Sequence, residues 1–254
     1  HWLCDEGRYC FHDLTGGERL TTPMIRQEGG LIPATWDKAL EAVLSGLRGA
    51  SPLAGVLSGR NTNEEAFLFA KLMQRLSQGC ALEVFYQERE LTEVQRILMS
   101  PDRSPNFRGA MEMGVSCSNS TVHMPAKKIE SHSFLHRLSQ GLRGLGFIAA
   151  VQRVVQSPKM SNGGFEPLMR KLTEGHFTGA YVVGEDLLGT YNDNDQDRIR
   201  QALQQLSFLV VQDIRITETA ELAHVVLPST HFGEKEGTYT NRNGRVQKLN
   251  AATI

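Results

Sequence analysis

The chain has 254 residues, 27 basic and 28 acidic side chains and a formal net charge of −1, so it carries no basic excess to favour nucleic acid as a partner. It is long enough for one large or two ordinary domains, and no apolar run approaches the roughly 20 residues needed to span a bilayer. Any membrane association must therefore pass through other subunits.

The chain opens on His1-Trp2 and reads from its first residue as mid-protein sequence, so the expectation is a fragment or the ordered part of a longer chain. Four cysteines, Cys4, Cys10, Cys80 and Cys117, form no CxxC pair, which makes a reducing compartment the default. Cys4 and Cys10 are flanked by His1 and His12, but this spacing fits no zinc-finger signature and reads as a structural loop. Leu20–Ile32 holds Pro23, Gly29 and Gly30 among short apolar pairs and predicts a hairpin. Thr35 then caps a helix with Trp36, Ala39, Leu40, Val43, Leu44 and Leu47 on one core-facing side, ended by Gly49 and Pro52.

Leu53–Leu57 predicts a strand, Ser58–Asn63 a polar turn, Glu64–Ser77 a helix with Phe67, Leu68, Leu72 and Leu76 inward, and Leu82–Tyr86 the next strand. The turn after the first strand of such a unit is where open α/β sheets bind ligands, and Ser58-Gly59-Arg60-Asn61 could cradle a phosphate at the helix N-terminus. Neither GxGxxG nor GxxxxGK[ST] is present, so an ordinary polar turn is the favoured reading. Between Tyr86 and Gly114 there is no Cys and no His.

Cys117–Lys159 holds His123, His132 and His136 with several basic residues, and predicts an amphipathic helix over Phe147–Val155. His132 and His136 are four apart but lack the Glu of HExxH. Cys117 with the three histidines could make a zinc site; solvated or partner-facing histidines are the favoured alternative. From Gly164 the α/β pattern resumes with a short helix, a stop at Gly175, a strand Ala180–Val183 and its polar end Gly184-Glu185-Asp186. A helix over Arg198–Leu206 follows. Phe208–Val211 and Val225–Leu227 are then two buried strands joined by a short helix that Thr217 caps, with Pro228 ending the second.

Several strings carry a resemblance. Phe208–Gln247, with its HFGEKEGTYTNRNGRVQ ending, is similar to the stretch that closes the α/β domain of the molybdopterin oxidoreductase superfamily. The resemblance covers residues 1–115 and 164–247 and implies an α/β fold of parallel Rossmann-like sheets with a short β-rich N-terminal entry. The implied organisation is 1–34, the end of an iron–sulfur subdomain and the β-rich entry; 35–116, a first α/β lobe; 117–160, an atypical insert or interface; and 161–254, a second α/β lobe.

Three strings lean towards the large iron–sulfur subunit of NADH–quinone oxidoreductase of the respiratory complex I type. They are Asp5-Glu6-Gly7-Arg8-Tyr9, the run SPNFRGAMEMG with Asn106, Arg108 and Gly109, and Asn243-Gly244-Arg245-Val246-Gln247, in which a Gly precedes the Arg. In that branch the α/β domain is expected to be a scaffold. Cys4 would be the last ligand of a 4Fe–4S cluster whose other ligands precede this chain. Gly184, Glu185, Asp186, Gln212, Asp213, Thr217, Glu218 and Thr219 would be vestigial pterin-pocket positions, with no molybdenum cofactor and no catalytic residue. The implied partners are flavoprotein and quinone-side iron–sulfur subunits, with a peripheral location on the cytoplasmic side of a bacterial inner membrane or the matrix side of a mitochondrial one. Two alternatives stay open: a fragment of a molybdenum or tungsten oxidoreductase such as formate dehydrogenase, and a non-redox α/β assembly module.

Overall fold

The computed structural model describes residues 12, 16–85, 92–93, 95–97, 104–116, 166–190 and 193–252. Strands β1 (Met24–Gln27) and β2 (Gly30–Pro33) form the expected antiparallel hairpin. Helix α1 (Trp36–Gly49) leads to β3 (Leu53–Ser58), α2 (Asn63–Leu76) and β4 (Ala81–Phe85). A short helix α3 (Phe107–Glu112) follows, then α4 (Glu166–Thr173), β5 (Gly179–Val183), the single turn α5 (Leu187–Thr190) and α6 (Asp193–Gln204). Strands β6 (Phe208–Asp213) and β7 (Val225–Pro228) complete one sheet, and β8 (Gly237–Thr240) pairs with β9 (Val246–Leu249) as a separate hairpin.

The sheet runs β2-β1-β7-β6-β5-β3-β4, with five parallel strands from β7 to β4 and the β1–β2 hairpin added antiparallel at one end. Strands from both expected lobes share this sheet, because β3 pairs directly with β5. The apolar strands are buried on both sides, as a parallel sheet requires. Along β3, Leu53 and Leu57 face α1 and α2, whereas Ala54 and Val56 face α4 and α6. Strand order reverses at β3, whose chain continues to β4 on one side while β5, β6 and β7 extend on the other. Neighbouring connections therefore leave opposite faces, and the carboxyl ends of β3 and β5 stand at the switch point where open α/β sheets form a crevice.

Two helix faces differ from expectation. On α1 the sheet takes only Ala39, Val43 and Leu47, while Trp36, Leu40 and Leu44 are 47%, 45% and 42% exposed. The helix lies over β6 and β7, and its apolar arc is wider than the strip those strands cover. On α2 the buried set is Ala66, Phe69, Ala70 and Met73, and Leu68 and Leu72 are exposed. Ala66 and Ala70 let that helix approach the sheet while Phe69 and Met73 fill the space beside them, so the buried face is set by fit. Helix α2 also starts one residue earlier than expected, because Thr62 and Glu65 form a complete capping box.

Candidate functional site

The crevice at the ends of β3 and β5 is built from three chain segments. Ser58 ends β3 and is buried; its hydroxyl donates to Glu185 Oε1 at 2.6 Å and accepts from the Arg60 backbone N–H at 3.2 Å. Gly184 turns the chain after β5 with φ +72°, and a Cβ there would stand 3.1 Å from Ser58 Cβ, so glycine both makes the turn and admits the serine. Its N–H donates to the Gln212 carbonyl, tying the end of β5 to β6. Asp213 then ends β6, with Oδ1 accepting from the Ile214 N–H at 2.6 Å.

Three carboxyl groups therefore converge. Burial pushes the Glu185 carboxyl up to about 7; the Ser58 hydrogen bond and the Arg60 guanidinium oppose this, while Asp213 and Asp186 add to it. Burial also raises Asp213, against the backbone N–H groups of Ile214 and Arg215, with Asp186 raising it further and Arg60 lowering it. Arg60 is exposed at the rim and is the cation that both carboxyls sense. Such a crevice can offer hydrogen-bond acceptors within and a cation at its edge, and it sits near a protonation midpoint at neutral pH.

The expected pocket positions separate into two groups. Gly184, Glu185, Gln212 and Asp213 lie at the ends of β5 and β6, and Gln212 Oε1 accepts from the Tyr181 hydroxyl at 2.7 Å. Asp186 stands beside Glu185 and accepts from Thr219, and the remaining three make contacts within the fold. Thr217 caps the turn by accepting from the Ala220 N–H. Glu218 turns outward to Gln196 and Arg200 on α6. Thr219 is fully buried, donating to Asp186 Oδ1 at 2.7 Å and accepting from the Leu188 N–H. Cys4, Cys10, Cys117, His123, His132 and His136 lie outside the described residues. Among the described residues, no group of three or more His, Cys, Asp or Glu side chains is arranged to hold a metal ion.

In the sequence Ser58 and Arg60 stand in a turn that could cradle a phosphate but reads by preference as an ordinary polar turn, and Asn63 is a single polar residue in that turn with no signal of its own. The structure makes Asn63 and Asn106 a buried rivet beside the crevice. Asn106 donates to the Asn61 carbonyl at 2.8 Å and accepts from the Thr240 N–H at 2.6 Å, and its own N–H reaches the Gly59 carbonyl. Asn63 donates to the hydroxyls of Thr238 and Thr240, and the Tyr239 hydroxyl donates to the Arg60 carbonyl. The β8–β9 hairpin is thereby fastened over the turn that begins α2. Arg108 completes the fastening, donating to the Arg242 carbonyl at 3.0 Å and pairing with Glu112.

No helix among the described residues is long and apolar enough to cross a membrane. Seventy-two residues of the chain are 49% identical to the F420-dependent formate dehydrogenase 2 subunit alpha of Methanococcus maripaludis, a match covering 28% of this chain and 10% of that protein. Ninety-two residues are 38% identical to the second G-type chain of the NADH-quinone oxidoreductase of Rhizobium meliloti, covering 36% and 11%. A longer match of 144 residues is 30% identical to the NADPH-Fe(3+) oxidoreductase subunit alpha of Geobacter sulfurreducens, covering 57% and 15%. The chain thus matches only a small part of the length of each of these relatives. The sequence profile of the molybdopterin oxidoreductase family matches residues 19–91 and 95–254, which takes in every strand of the sheet and all three sides of the crevice. The chain belongs to the molybdopterin oxidoreductase family.

Proposed function

We propose that this chain is the α/β scaffold domain of the iron–sulfur subunit of an NADH dehydrogenase related to NADH–quinone oxidoreductase. Electrons would pass from a flavoprotein subunit through iron–sulfur clusters towards quinone-side subunits, with this domain holding the adjoining cluster domain in place. The complex would lie peripherally on the cytoplasmic or matrix side of its membrane. Cys4 would ligate a 4Fe–4S cluster together with residues that precede this chain.

One observation carries the reading. Two strings that separately resemble the complex I subunit, Phe107-Arg108-Gly109 and Asn243-Gly244-Arg245, meet in space. A Cβ on Gly244 would stand 2.8 Å from Arg108 Cζ, so the glycine is the residue that makes room for the arginine. The match to the NADH-quinone oxidoreductase chain of Rhizobium meliloti supports the same branch.

A second reading, an active molybdenum or tungsten enzyme of the formate dehydrogenase kind, has support of its own. Family membership implies a pterin-based cofactor, and the crevice residues fit its nucleotide end. Glu185 and Asp213 offer oxygens to ring N–H groups, and Arg60 offers charge to a phosphate. Such a group supplies two-electron redox chemistry when bound; the residues here would bind and orient it. The first reading is preferred because the sequence between Tyr86 and Gly114 has no Cys and no His to serve a metal centre, and because the crevice pairs its own groups, Ser58 with Glu185 and Tyr181 with Gln212.

The test is elemental and cofactor analysis of the native full-length protein in its complex, with NADH-dependent acceptor reduction measured on the same sample. Iron with NADH activity and without molybdenum, tungsten or pterin is the expected result. Molybdenum or tungsten with extractable pterin would replace the scaffold by a catalytic subunit. Absence of iron, metal and pterin together would leave a non-redox assembly module.

A further inference from the structure

The β1–β2 hairpin joins the parallel sheet through a short ladder, Met24 opposite Val226 and Ile25 opposite Val225. Beyond that ladder Met24, Ile25 and Leu31 pack against the core, and Arg26 adds the polar attachment. Its backbone N–H donates to the His224 carbonyl at 2.8 Å, its Nε donates to the Ala223 carbonyl at 2.8 Å, and its Nη2 donates to the Glu221 carbonyl. His224 itself is fixed from the other side. Its Nδ1 accepts the Leu209 backbone N–H at 3.0 Å, and its ring stacks on Phe208 with centroids 5.3 Å apart. Phe208 is held by α1, where Gly46 leaves no room for even a Cβ against the ring.

An imidazole nitrogen accepts a hydrogen bond only when it carries no proton. The Leu209 N–H therefore requires neutral His224, with the proton on Nε2. Protonation would turn an acceptor into a second donor facing a backbone donor, and would set an imidazolium beside the Arg26 guanidinium. The two effects have the same sign. We propose that His224 is a proton-sensitive latch: while neutral its ring pins the turn before β7, whose carbonyls hold Arg26 of the β1–β2 hairpin, against β6, and when protonated it loosens that turn and with it the Arg26 attachment.

The groups facing the ring fit this role. The Arg26 charge bears on the ring from β1, and Phe208 and the Leu209 N–H approach it from β6. Burial and the Arg26 charge both hold His224 below its ordinary value. The latch is therefore closed at neutral pH and opens only on acidification below the ordinary histidine range.

Hydrogen–deuterium exchange on the purified full chain at pH 7.5 and 5.0, corrected for intrinsic exchange, tests the latch. The amides of Leu209 and Arg26 are expected to lose protection by about tenfold or more at the lower pH, the size of one broken buried hydrogen bond. His224→Asn places a non-titrating acceptor where Nδ1 stands, and should remove most of that pH dependence. Equal pH dependence in the wild type and this variant, or none in either, overturns the proposal. If the variant does not fold, the wild type alone decides by NMR. The Leu209 amide shift must titrate with the same midpoint as the His224 ring, and a Leu209 shift that ignores that midpoint overturns the latch.

Discussion

Arg108 and Gly244 share one volume. The guanidinium lies where a side chain at residue 244 would begin, 2.8 Å from the position of a Cβ, and Gly244 takes φ +79° to close the β8–β9 turn. From that place Arg108 reaches the Arg242 carbonyl on one side and Glu112 on the other. With Asn106, which accepts from the Thr240 N–H, Arg108 thus locks the helix after β4 to a hairpin more than 130 residues later.

Gly244→Ala should destabilise the chain by about 1–3 kcal/mol, from left-handed backbone strain plus the clash with Arg108. Combining it with Arg108→Ala removes the clash but not the strain. The double variant should therefore be more stable than the sum of the two single losses predicts, as measured by urea denaturation in a double-mutant cycle. Strict additivity would show that the two residues do not compete for space.

Asn106→Ala removes the side chain that serves the Asn61 carbonyl and the Thr240 N–H, both in buried surroundings. A loss of about 2–4 kcal/mol is expected, since two backbone groups are left without partners. Amide exchange should show the damage concentrated in β8 and the turn before α2, with β6 and β7 protected as before.

Glu185 gives a pH signature. Its folded value of about 7 lies above the ordinary 4.5, so the folded chain holds a proton there that the unfolded chain releases. That contribution is fully present below about pH 4.5 and is lost as pH rises through about 7. Glu185→Gln should therefore be nearly neutral to stability at pH 5 and stabilising at pH 8, read from denaturation midpoints at the two values. Equal effects at both pH values would mean that the carboxyl is not perturbed.

The two faces of α1 should respond differently. Leu47 is fully buried, and Leu47→Ala should cost about 2–5 kcal/mol. Leu40→Gln and Leu44→Gln lie on the exposed side and should each change stability by no more than about 0.5 kcal/mol. Thermal melts of the three variants check this, and a large loss at Leu40 or Leu44 would show that the stripe is covered in the folded chain.

Much of the fold was legible because its signals are local. The runs Leu53–Leu57, Ala180–Val183, Phe208–Val211 and Val225–Leu227 are apolar, short and bounded by turn residues, and each is a strand. Pro23, Gly29 and Gly30 marked the hairpin, and Thr35 marked the start of α1. Helix faces were less legible. Periodicity places Trp36, Leu40 and Leu44 on the same broad arc as Ala39, Val43 and Leu47, and cannot say which strip of that arc the sheet will take.

The candidate site divides along the same line. Glu185 and Asp186 could be picked out because they follow the end of a strand, where open α/β sheets gather ligands, whereas Gln212 and Asp213 were marked only by the family resemblance. By itself the sequence determined the class of fold, the strands and the polar end of β5, since each follows from neighbouring residues and their burial period. Only the tertiary structure decided that Ser58 meets Glu185 across 127 positions, that Asn63 and Asn106 fasten the β8–β9 hairpin, and that Thr217, Glu218 and Thr219 serve the fold. Those contacts depend on strand order and register, which place distant residues side by side. No local propensity encodes which strand will be whose neighbour.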